Sequence, residues 1–71
     1  MKLYFINSYN ERKLVKENVK ENEVTKEISN YVASLNPNYK IYYFRSWSTK
    51  EGIMYDVGSH LEFFLLIKNM E

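Results

Sequence analysis

The stretch "MYDVGSHLEFFLLI", Met54 to Ile67, decides the fold. Two apolar runs flank a polar knot, Asp56-Val57-Gly58-Ser59-His60. Each run has the aromatic and branched aliphatic content of a strand, and Gly58-Ser59-His60 supplies the turn between them. Ile53 to Val57 therefore reads as one strand and Leu61 to Ile67 as the next. In the second, Leu61, Phe63, Leu65 and Ile67 share one side, while Phe64 and Leu66 share the other. A strand that is apolar on both sides calls for cover on both faces of its sheet.

Upstream of this pair, Tyr39 to Trp47, "YKIYYFRSW", predicts another strand with the same two-sided character. Ile41, Tyr43 and Trp47 alternate with Tyr42 and Phe44. Ser48-Thr49-Lys50-Glu51-Gly52 joins it to Ile53 as a hairpin loop, with Gly52 placed for a positive φ. Near the start, Lys2 to Asn7 predicts a strand, Ser8 to Glu11 a turn, and Lys13 to Val19 an edge strand. Its lysines and glutamate discourage pairing with other chains.

The helix is the clearest element. Val24, Ile28, Tyr31, Val32 and Leu35 fall at offsets 0, 4, 7, 8 and 11, one face of an α-helix. It spans Asn22 to Asn36, with Asn22 as N-cap and Glu23 at the positive end of the dipole. Asn36-Pro37 stops it, because a residue before proline is pushed out of the α region. The order is β-β-α-β-β-β: one α+β domain over residues 1–71, a single antiparallel sheet with one helix on one face.

Bulk properties narrow the function. Seventy-one residues bury a small core, and chains of this size often need a staple. There is no cysteine and one histidine, so disulfides, thiolate metal sites and a multi-histidine site within one chain are excluded. Oligomerisation is the staple that remains. Ten basic and nine acidic residues give a net charge of +1 with no basic block, which disfavours nucleic acid as partner. No apolar run approaches the roughly 20 residues of a membrane span, nor the length of a signal peptide. The expectation is a cytoplasmic protein with no cofactor and no membrane association.

One helix covers one face of a sheet. The other face is expected to present an apolar patch, which in soluble proteins marks an interaction surface. The alternative is that sheet curvature, the N-terminal hairpin and the C-terminal tail roof it. Tyr43, Arg45 and Trp47 on the third strand are the first contact candidates, since aromatics and arginine anchor interfaces. Asp56, Ser59, His60 and Glu62 follow.

Asp56, Ser59 and His60 have the residue types of a hydrolytic triad, but adjacent Ser59 and His60 diverge and no loop offers an oxyanion site. No catalytic residue is assigned. The turn reading has Gly58 providing backbone freedom and Asp56 accepting turn amides. Glu62 is placed to pair with His60 or with Arg45. Arg45 among aromatics also suits stacking of unpaired bases, although the order differs from that of common RNA-binding sheets and their glycine-rich pattern is missing.

The runs "YYFRSWSTKEGIMYDVGSHLEFFLLI" and "MKLYFINSYNERKLV" together resemble small proteins encoded by phages and prophages of low-GC Gram-positive bacteria. The piece Tyr55 to Phe64 is the most distinctive. The resemblance implies an accessory factor that binds a host or defence protein, as anti-CRISPR proteins do, or an oligomer that sequesters signalling nucleotides. It assigns no catalytic or binding residue. At net +1 the chain is no acidic DNA mimic, so shape and aromatic contacts would carry an inhibitory role.

Overall fold

The computed structural model describes residues 1–41, 43–58 and 62–68. It contains β1 (Lys2–Ile6), β2 (Arg12–Lys16), a single 3-10 turn (Glu21–Glu23), α1 (Val24–Leu35), β3 (Arg45–Ser48), β4 (Gly52–Asp56) and β5 (Phe63–Ile67). The strands form one sheet in the order β2-β1-β5-β4-β3, every neighbouring pair antiparallel. The expected α+β architecture and element order are observed.

The two-sided β5 lies at the centre of the sheet. Its even positions, Phe64 and Leu66, face α1 and join Leu3, Val24, Ile28, Tyr55 and Val57 in the core. Phe5, Tyr31 and Phe64 meet at centroid separations of 5.2–5.9 Å where the helix crosses the sheet, within the range of favourable aromatic pairing. Val24 and Ile28 of the helical stripe are buried, but Leu35 at its end projects to solvent. The helix stops at Asn36, whose backbone is extended and whose N–H still reaches Val32 O at 2.9 Å.

Several boundaries shift, each for a local reason. The predicted N-cap Asn22 lies inside the 3-10 turn; the entry is instead closed by Glu23, whose carboxylate accepts from the Lys20 backbone N–H at 3.2 Å. The second strand ends at Lys16 because Asn18 takes φ 59°. Val19 is nevertheless buried, tied by its N–H to Met1 O at 2.8 Å. On β2, Leu14 and Lys16 oppose consecutive residues Tyr4 and Leu3, so Val15 is an inserted residue, a bulge.

Of the strand expected over Tyr39 to Trp47, the described residues 39–41 and 43–44 lie outside the ladder. The chain turns at Asn36, where Tyr39 N–H donates to Asn36 O, and the Tyr39 hydroxyl then donates to Val57 O at 3.0 Å. That bond ties Tyr39 to the residue that follows β4, and β3 starts at Arg45. The first strand stops at Ile6, and the last begins at Phe63 among the described residues. Gly52 is not in a positive-φ conformation; Gly58 is the glycine that is, at φ 99°. Gly52 is needed for another reason: a Cβ there would lie 1.9 Å from Leu66 O on the neighbouring strand.

Candidate functional site

The face of the sheet turned away from α1 carries an apolar row from one edge to the other. Leu14, Tyr4, Leu65, Met54 and Trp47 stand opposite one another on successive strands. The next row begins with Arg12, Ile6 and Phe63 and ends with Asp56 and Arg45. The centre of this face is dry within the single chain: Leu65 is 0% and Ile6 6% exposed. Of the two expectations for this face, an apolar patch or a roof made by sheet curvature, the second holds at its centre and the first at its ends.

Its cover is the curl of the sheet. Right-handed strand twist makes a saddle, lifting two diagonal corners toward each face. On the open face those corners are Arg12, at the start of β2, and Glu51, in the β3–β4 hairpin, and their side chains join at 2.5 and 3.1 Å. Solvent still reaches the ends of the row, at Leu14 and at Trp47, which is 44% exposed.

Around Trp47 the sequence candidates converge. Arg45 is the direct cross-strand partner of Asp56, and its guanidinium donates to Asp56 Oδ2 at 2.6 Å. The Asp56 residue is buried at 4% exposure, whereas the arginine is largely in solvent. That hydrogen bond, with the attraction behind it, raises the Arg45 pKa further above its ordinary value. The Arg45 Cζ also sits 5.8 Å from the Tyr43 ring centroid, a cation–π distance. Two residues along β3, Trp47 packs edge-on to Phe63 at 6.2 Å.

The corner after β4 is built as an Asx turn. Asp56 Oδ1 accepts from the Gly58 N–H at 2.9 Å, the turn-amide role expected of it. Gly58 leaves room for two rings: a Cβ would stand 3.3 Å from the Tyr39 hydroxyl and 3.7 Å from Tyr43. Ser59 and His60 lie outside the described residues. Glu62 lines a cleft of about 140 Å³ with Phe5, Leu35, Tyr39 and Val57. This volume is below that of drug-sized ligand sites.

Tyr43, Arg45, Trp47 and Asp56 thus share one end of the sheet. Sequence reasoning missed Tyr39 as the hook of this corner, Phe63 as the support of Trp47, and the Arg12–Glu51 contact. The last is invisible to pattern, since the two residues are 39 positions apart. Among the described residues no group of three or more His, Asp or Glu is placed to hold a metal, and no helix is long and apolar enough to cross a membrane. Comparison with protein-family models, curated proteins and solved structures finds no match to this chain.

Proposed function

We propose that this chain is a non-catalytic accessory protein of phage origin that binds a host or defence macromolecule and inhibits or modulates it. The contact surface is the aromatic end of the sheet: Tyr43, Phe44, Arg45 and Trp47, together with Gly58 and Glu62. One observation carries this reading. Tyr43, Phe44 and Trp47 are all exposed, at 47%, 38% and 44%, within five residues of one another. Exposed aromatics clustered around an arginine are the composition of binding hot spots. The Asp56 carboxylate is engaged by Arg45 and the Gly58 amide, which supports a framework role for it over acid–base work.

A photoreactive phenylalanine analogue at position 44 tests the reading in bacterial lysate, with the same probe at Tyr9 as control. Tyr9 is an exposed aromatic in the distant first hairpin. The expected result is one discrete protein adduct from position 44, absent from position 9 and lost on Trp47→Ala. Equal labelling from both positions, or an adduct indifferent to Trp47, removes the proposed surface.

A further inference from the structure

The two edges of the sheet are built differently. The β2 edge carries Arg12, Lys13 and Lys16 and the bulge at Val15, devices that block strand addition. The β3 edge is Arg45-Ser46-Trp47-Ser48: every residue exposed, with one charge, no proline and no bulge. Among the described residues nothing pairs with its outer side.

The hydrogen-bond phase identifies which groups it offers. Thr49 N–H donates to Gly52 O at 2.7 Å, so Thr49 and Gly52 form a hydrogen-bonded pair. Such pairs alternate along an antiparallel ladder. Trp47 and Arg45 therefore direct their backbone groups to β4, and Ser46 and Ser48 direct theirs outward. The outward positions carry the shortest side chains of the strand.

We infer that the β3 edge pairs antiparallel with β3 of a second copy of this chain, about a two-fold axis at Ser46. In that register Ser46 faces the partner's Ser46 in a hydrogen-bonded pair. Arg45 faces the partner's Trp47, and Trp47 the partner's Arg45, in close non-hydrogen-bonded pairs. Both kinds of side chain lie on the open face, so the register brings each exposed indole under a guanidinium from the other chain. The strand is self-complementary: the residues two apart across its centre are the cation and the ring that attract one another. The sheet becomes ten strands long, and each open-face row runs on into its counterpart. This goes beyond the binding of a foreign partner and is measured on the isolated chain.

The natural chain has no cysteine, so single cysteines report the register directly. A hydrogen-bonded pair places Cα atoms about 5.5 Å apart, within the disulfide range. Ser46→Cys is expected to give a disulfide-linked dimer on mild oxidation, while Ser48→Cys and the helix control Ser29→Cys stay monomeric. Light scattering of the native chain is expected to rise from 8.6 kDa toward twice that mass with concentration. Trp47→Ala is expected to weaken association about ten-fold through loss of both cation–π contacts. A native chain that stays monomeric into the millimolar range overturns the inference. So does cross-linking of Ser29→Cys as readily as Ser46→Cys. Cross-linking only in a mixture of Ser46→Cys and Ser48→Cys overturns the register and with it the arginine–tryptophan pairing.

Discussion

Arg12 and Glu51 stand at diagonally opposite corners of the sheet, yet their side chains meet over its open face. The contact records how far the sheet is coiled, because a flat sheet of this width would hold the two residues well apart. Both groups are mostly in solvent, so the pair reports the curvature more than it causes it.

The pair has a definite pH signature. Hydrogen bonding to Arg12, opposed by partial desolvation, holds the Glu51 carboxyl below its ordinary range. A depressed carboxylate adds stability above its unfolded pKa and loses it as pH falls through the folded value. Glu51→Gln is expected to lower the thermal midpoint at pH 7. The gap to the native chain should close as pH drops below about 4, where an unfolded glutamate is itself protonated. A gap that persists at pH 2 would remove the ion pair as its cause.

Tyr55 acts at the other end of the scale. Burial against α1, reinforced by the nearby Glu21 charge, pushes its hydroxyl pKa up. The folded state therefore holds this proton more tightly than the unfolded chain. Stability is intact below the unfolded pKa of about 10 and declines as pH rises above it. Tyr55→Phe is expected to flatten that decline in denaturant titrations at pH 9 to 11.

Leu65 and Trp47 occupy the same cross-strand row and should behave oppositely. Leu65→Ala opens a cavity in a fully dry position and is expected to cost about 2–5 kcal/mol. Trp47→Ala removes a half-exposed ring with one edge-on contact and is expected to cost about 1 kcal/mol. Urea midpoints of the two variants check this. A Trp47 variant as unstable as the Leu65 one would place the indole in the core and deny it a binding role.

The two glycines separate steric from conformational demand. Gly52→Ala drives a methyl into the Leu66 carbonyl and is expected to cost about 3 kcal/mol, because strand backbones must part. Gly58→Ala meets only the end of a tyrosine, but at φ 99° it is expected to cost about 1–2 kcal/mol from backbone strain. Equal losses at both positions would contradict this division.

Much of the fold was legible because periodicity reports burial. The offsets from Val24 to Leu35 mark the helix, and the double-sided Leu61–Ile67 run marks the last strand, which the sheet order puts at the centre. Tyr39 to Phe44 misled because its aromatics look like strand residues while Tyr39 is spent on a hydroxyl bond to Val57. Gly52 misled because a hairpin glycine suggests φ, whereas its constraint is the neighbouring strand. The Arg45–Asp56 contact is half visible: the sequence offers Arg45 as a charged contact and Asp56 as a turn acceptor, and only the register joins them. The closing of the open face stood only as the alternative to a bare patch, because coil of a sheet leaves no periodic trace that could decide between them.

The inserted Val15 gives that coil an address. Excising it would leave Leu14 opposite Tyr4 and Lys16 opposite Leu3, so the inside–outside alternation would survive unchanged. What would go is the extra local twist that a bulge imparts, together with the packing of Val15 against the core. Sidedness and curvature are thus encoded at separate positions in the first hairpin. A lineage that lost this one codon would keep the fully buried part of its core, lose the Val15 contact at its margin, and be expected to carry a flatter, wetter sheet.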